Sequence, residues 1–310
     1  MSLSSALIIR GIARGVHVAG SLSVFGTVAA RAILIPRSPG GCRSECDRRA
    51  VASLARLLRV SLVIAVTAGG VWLVAESTYI TGSHQIRAGI AVLASVLRDT
   101  NFGHLLIARV ALLALSAVIF GDGRQHGRVA IATGLAAIAT VLQAGLGHGA
   151  AMGGPEGSAL AVALALHVVA AGLWLGGLVP LLIIVATTPL GDAYLVARRF
   201  SRLGAICVAT LTATAGLQGY LLIGSPGALV GTDYGRVAFA KLALFVVLLG
   251  IAAHNCFRLT PGLIGPSGER SRARLRRNII GEALVGVCVI ILAGVLLELP
   301  PGMDMGGVMR

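Results

Sequence analysis

The chain has 310 residues, of which 56% are hydrophobic and only 12% charged, about half the charged share of a soluble domain, which excludes a water-soluble globule. A mean hydropathy of +0.89 with 42 glycines describes apolar helices packed through small residues. The apolar runs are continuous and about 20 residues long, which excludes a membrane β-barrel of alternating strands about half that length.

Runs able to cross about 30 Å of hydrocarbon fall at 11–35, 60–81, 102–120, 129–148, 159–186, 203–224, 236–256 and 279–298, predicting an all-α polytopic membrane protein of eight transmembrane helices. Arg10 and Arg14 lead into an apolar stretch longer than a signal-peptide core and without a small-residue cleavage site, so the first helix is expected to stay. Arg87 to Leu97 is too short to cross and reads as an interfacial or re-entrant piece.

The net charge of +14 would point to nucleic acid in a soluble protein. Here the arginines lie between the apolar runs, where topology accounts for them, and no nucleic-acid partner is expected. The connections 36–59, 121–128, 187–202 and 257–278 carry 6, 2, 3 and 6 Lys and Arg, against 0, 2, 0, 0 and 1 in 1–9, 82–101, 149–158, 225–235 and 299–310. The positive-inside rule makes the first set cytoplasmic and puts both termini outside. Arg10 and Arg14, at the outer end of the first span, run against it.

Two stretches match without gaps, Thr100-Asn-Phe-Gly-His-Leu-Leu-Ile-Ala-Arg109-Val-Ala-Leu and Thr232-Asp-Tyr-Gly-Arg-Val-Ala-Phe-Ala-Lys241-Leu-Ala-Leu. His17-Val18 followed by Gly26 likewise matches His167-Val168 followed by Gly176. The chain reads as two parallel four-helix repeats, an amino-terminal half over 1–158 and a carboxyl-terminal half over 159–310. A pseudo-twofold axis along the membrane normal would relate them, with sites between the halves.

The expected topology places His84, His104 and His148 at outer helix ends and His17 and His167 about two turns deeper. Ionisable residues within a membrane mark a pathway or a site by default, and a symmetric pair of imidazoles can share a metal ion. Met152, Met303 and Met305 fall on the same side, and thioether with imidazole suits copper, Cu(I) above all. Arg109, Lys241 and Glu76 are candidates for the transport path or its gate, and an ion pair from Glu76 to either cation would be ordinary membrane glue. Glu282 is a further buried charge. The cysteines fall on the inner side or mid-span, and Cys42 and Cys46 read as a reduced loop pair. No nucleotide-binding loop, nucleophile elbow, zinc-protease helix or dinucleotide fingerprint is found in context, so no enzyme activity and no ATP-driven pump is expected.

The run Leu166-His167-Val-Val-Ala-Ala-Gly-Leu-Trp174-Leu-Gly-Gly-Leu-Val-Pro180, then Arg199-Phe-Ser-Arg202, Tyr234-Gly-Arg236 with Lys241, and Asn255 to Pro261, resembles the copper-resistance protein D (CopD) family. Thr100-x-Phe102-Gly103, Arg109 and Gly147-His148 extend the resemblance over nearly the whole chain. Cys256 departs from it, standing where Arg is expected. The resemblance implies a multi-pass protein of the bacterial inner membrane. It also implies movement of a copper ion from the outside to the cytoplasm in copper homeostasis or resistance, beside a separate periplasmic carrier of the CopC type. Two other functions fit the same residues: a b-type haem electron carrier with paired histidines as axial ligands, and a partner that delivers copper for oxidase assembly without transport.

Overall fold

A computed structural model describes residues 5–35, 45–82, 85–146, 154–223 and 226–300, and these are helical almost throughout, with no strand among them. Helix α1 (Ser5–Ile33) precedes α2 (Glu45–Ile80), two short helices α3 (Ile86–Ala91) and α4 (Leu93–Asp99), α5 (Asn101–Phe120) and α6 (His126–Val141), which ends in a 3-10 turn over Leu142–Leu146. Next come α7 (Gly154–Trp174), α8 (Leu178–Thr187), α9 (Leu190–Leu222), α10 (Pro226–Gly231) and α11 (Asp233–His254). A π turn at Asn255–Leu259 leads into α12 (Thr260–Gly262), and α13 (Gly268–Leu296) follows. Eight helical segments among the described residues are long and apolar enough to cross a membrane, α7 and α8 counting as one. The eight spans expected from the sequence are thus present, and the short piece at Arg87–Leu97 lies within α3 and α4.

Helix ends meet in two sets, which fixes the sidedness of the bundle. On one side Arg10 of α1 pairs with Glu76 at the end of α2 and with Glu298 just after α13, and Arg14 donates to the Leu146 carbonyl at 2.6 Å. On the other, Arg31 donates to the Gly123 carbonyl at 2.9 Å, Arg199 to that of Leu34 and Arg272 to that of Thr188. These arginines satisfy carbonyls that helix ends leave open. We call the sides the His104 side and the Arg272 side.

The two most buried spans are α1 and the broken α7–α8, and they cross where the chain has no side chains to keep them apart. A Cβ on Gly26 would strike the carbonyl of Gly176, one on Gly176 the backbone of Leu22, and one on Gly172 the ring of Phe25. The Gly172-x3-Gly176 spacing is therefore close-packing material, as small residues in membrane helices provide. A core around Phe25, Leu58, Leu113 and Phe120 binds α1 to α2, α5 and α6, and a larger one around Trp174, Leu178, Ile184 and Phe200 joins α7, α8, α9 and α13.

Helices α5 and α11 begin alike. Thr100 caps one by accepting from Gly103 N at 3.0 Å, and Thr232 caps the other by accepting from Gly235 N at 3.0 Å. Each is preceded by a short helix whose carbonyl is held from the fifth residue past the cap's neighbour: His104 Nε2 meets the Arg98 carbonyl at 2.6 Å and Arg236 Nε that of Val230 at 3.1 Å.

Candidate functional site

His17 is fully buried. Its Nδ1 lies 2.7 Å from the Ala65 carbonyl on α2, and a side chain on Gly69 would run into that same nitrogen, so the glycine makes room for the ring. A carbonyl only accepts, so Nδ1 must carry the hydrogen, and in the neutral ring Nε2 is a bare lone pair. That Nε2 is buried and has no hydrogen-bond partner.

His167 reaches the same state by another device. Its Nδ1 stands 2.9 Å from Thr214 Oγ1 on α9, and that hydroxyl already donates to the Thr210 carbonyl at 2.7 Å. With its one hydrogen committed, the hydroxyl accepts from Nδ1, and Nε2 of His167 is again the free lone pair. An imidazole fixed through Nδ1–H to a protein acceptor, with Nε2 open, is the arrangement of metal-ligating histidines. His167 is half-buried, because α11 leans on α13 and hardly touches α9. His17, by contrast, is sealed under Trp72, with ring centroids 5.7 Å apart, and Trp72 is in turn covered edge-on by Phe102.

Two cations act on His17, Arg109 and Arg14, and one on His167, Lys241; Arg109 and Lys241 are the pair matched in the sequence. Arg109 lies within Coulombic reach of His17, and Lys241 of His167. Arg109 donates through Nε to the Ala139 carbonyl at 3.1 Å and leaves Nη1 buried without a partner. The partners of each imidazole thus belong to its own half of the chain.

Glu76 departs from expectation. Its cation is Arg10 at 3.2 Å, not Arg109 or Lys241, because Arg10 lies one turn above Arg14 on the face of α1 turned to the end of α2. Arg10 also stacks on Tyr79 at 3.9 Å, and Arg14 reaches Glu298 at 3.3 Å and lies over Trp72. Two arginines and two glutamates thereby form a largely buried chain of ion pairs, Glu76–Arg10–Glu298–Arg14, above His17. This accounts for arginines that the positive-inside rule disfavours, since their charge is neutralised locally. Glu298 was not among the residues singled out from sequence; its signal is a lone carboxylate at the end of the last span.

His104 spends Nε2 on the Arg98 carbonyl and fastens the α4–α5 corner. His84, His148, Met152, Met303 and Met305 lie outside the described residues, as do Cys42 and the side chain of Cys46. Among the described residues no group of three or more His, Cys, Asp or Glu is placed to hold a metal ion.

Comparison with known proteins adds the following. The family described as Copper resistance protein D-like, N-terminal domain, matches residues 5–158, and the family described as Copper resistance protein D matches residues 194–296. Copper transport protein CutJ of Bacillus subtilis (strain 168) is 29% identical over 139 residues, 44% of this chain, and the matched stretch spans only 24% of that relative's length. Copper resistance protein D of Pseudomonas syringae pv. tomato is 27% identical over 264 residues, 81% of this chain and 85% of the relative. No solved structure matches the chain. With eight membrane-crossing helices and both halves matched, the chain is a multi-pass membrane protein of the copper resistance protein D family, with a copper-related function.

Proposed function

We propose that the protein carries copper ions across the bacterial inner membrane, from the His104 side, facing outward with both termini, to the cytoplasmic Arg272 side. One observation carries the reading. Two intramembrane imidazoles are each fixed through Nδ1–H, one to a carbonyl and one to a hydroxyl, so that both keep Nε2 free for a soft cation. Copper is the cargo that fits, since imidazole and thioether suit it and the family is a copper family. His84, His148, Met152, Met303 and Met305 would capture it, taking it from a separate periplasmic carrier of the CopC type. His17 and His167 then serve as relay positions. The fixed charges of Arg109 and Lys241 beside them oppose long residence, as conduction requires binding weak enough to release. The Arg10–Glu76–Glu298–Arg14 network would gate the way to His17.

The halves 1–158 and 159–310 would be parallel repeats. Supporting this are the paired caps at Thr100 and Thr232, the paired His–cation neighbours, and the contact of matched Gly26 and Gly176, where a pseudo-twofold axis would pass. Purified protein in sealed vesicles tests transport: time-dependent accumulation of copper inside, lost in the His17→Ala, His167→Ala double variant, is expected. Copper bound without entering would leave the delivery role instead, and a Soret band in the purified protein would favour the haem reading.

A further inference from the structure

Two irregularities in the helices of the second half converge on one carboxylate. Helix α7 stops at Trp174, where the chain turns through Leu175–Gly177 before α8 begins, and α11 passes into a π turn at Asn255. The last residue of the one and the first of the other both donate to Glu282 of α13: Trp174 Nε1 to Oε1 at 3.1 Å and Asn255 Nδ2 to Oε2 at 3.0 Å. Asn278 Nδ2 donates to Asn255 Oδ1 at 3.1 Å, which fixes the Asn255 amide with its NH2 toward the carboxylate. Broken helices and π turns are where membrane proteins expose unusual groups to a pathway.

Glu282 is 3% exposed yet, unlike Glu76 and Glu298, has no cation paired with it among the described residues. It lines a cavity of about 320 Å³ between α9, α11 and α13 in the Arg272-side half of the bundle. From α7 it meets Trp174. The cavity brings Ser201 and Gly204 from α9, Asn255 and Cys256 from the π turn, and Leu275 from α13. Cys256 is the only other titratable group among the cavity's lining residues, and no charged side chain acts on the carboxylate from any of these elements. Apart from Ser201, Asn255, Cys256 and Thr260 the walls are apolar, and the Asn255 amide is already committed to Glu282 and Asn278, so Glu282 and the Cys256 thiol are the only acidic groups in the lining, whereas a proton needs one carboxylate lone pair and a water to hand it on.

We propose that Glu282 is a proton-exchange site, loaded and unloaded through this cavity. Its carboxyl gives a proton to cavity water and is left as a carboxylate held by Trp174 and Asn255, and it takes a proton back from the same water. In a copper carrier this exchange would accompany the movement of the cation, so the coupling, though not the site itself, rests on the transport reading.

Labelling with dicyclohexylcarbodiimide, an apolar reagent that attacks protonated carboxyls, tests the site on purified full-length protein in lipid without copper. Mass spectrometry should find Glu282 labelled, with labelling falling as pH rises and Glu76 and Glu298 unlabelled across the range. No label on Glu282, or label indifferent to pH, overturns the proposal. In vesicles with a trapped pH dye, copper entry should bring proton movement that Glu282→Gln abolishes while Glu282→Asp retains it. Undiminished proton movement in Glu282→Gln refutes the coupling. Failure of the wild type to move copper refutes the transport reading alone, because the labelling result does not depend on it.

Discussion

Thr214→Val replaces a hydroxyl by a methyl of nearly the same size and removes the acceptor that holds His167 Nδ1–H. The second bond of that hydroxyl, to the Thr210 carbonyl, lies within its own helix and its loss is of little consequence. Interhelical hydrogen bonds in membranes contribute on average about 0.6 kcal/mol, so the fold should survive with a small change in stability. The larger effect falls on the ring, which loses both its orientation and the preference for placing the proton on Nδ1. Loss of such a support lowers metal affinity about 10–100-fold, which is about 1.4–2.7 kcal/mol. Competition with a chromophoric Cu(I) chelator, in a background with His17, His84 and His148 changed to Ala and Met152, Met303 and Met305 to Leu so that His167 alone of the proposed ligands reports, should show this loss in Thr214→Val and not in Thr214→Ser. If the valine and serine variants bind within twofold of the parent, Thr214 does not set the ring and the argument from the fixed nitrogen fails for His167.

Three other outcomes follow from features already described. Glu298→Gln leaves Arg14 without its carboxylate and Arg10 with Glu76 alone; breaking a buried ion network costs about 3–5 kcal/mol, to be read as a lower thermal midpoint in detergent. Gly26→Ala forces a methyl into the Gly176 carbonyl and should destabilise by about 1–3 kcal/mol, whereas Gly134→Ala, inside α6 with open space around it, should be neutral or stabilising by up to about 1 kcal/mol. A reporter active only outside the cell should stay silent when fused within 264–275 and give signal in the 149–158 loop; signal from 264–275 would reverse the orientation.

The eight crossings were legible because hydropathy over about 20 residues records the thickness of the bilayer directly. Helix lengths were not. Helix α2 starts at Glu45, α9 at Leu190 and α13 at Gly268, each ten or more residues before its apolar run, because a basic amphipathic turn continues a helix beyond the hydrocarbon without raising its hydropathy. The break between α7 and α8 was hidden for the opposite reason, since Gly176 and Gly177 sit in an unbroken apolar run and only the close approach of α1 shows what they are for. Within the site, the residue types at 17, 109, 167 and 241 and the likeness of their sequence contexts were readable. The tautomers were not, because they depend on Ala65 and Thr214, which no spacing in the sequence connects to the histidines. Glu282 was visible as a buried charge, but its isolation from any cation is a property of three packed helices.

The contact of Gly26 with Gly176 sits nine residues from His17 along α1 and nine residues along the chain from His167, just past the end of α7. The crossing is therefore a pivot from which α1 carries His17 about 13 Å away at the rise of an α-helix, while the turn at Leu175–Gly177 lies between it and the part of α7 that carries His167. With backbone resting on backbone there, no side chain can change rotamer to cushion a movement at the contact. A turn of about 10° of one helix over the other shifts an imidazole at that distance by about 2 Å. That is comparable to the length of the hydrogen bonds that orient the two rings, so a small rotation at this crossing is enough to change which acceptor a ring can reach.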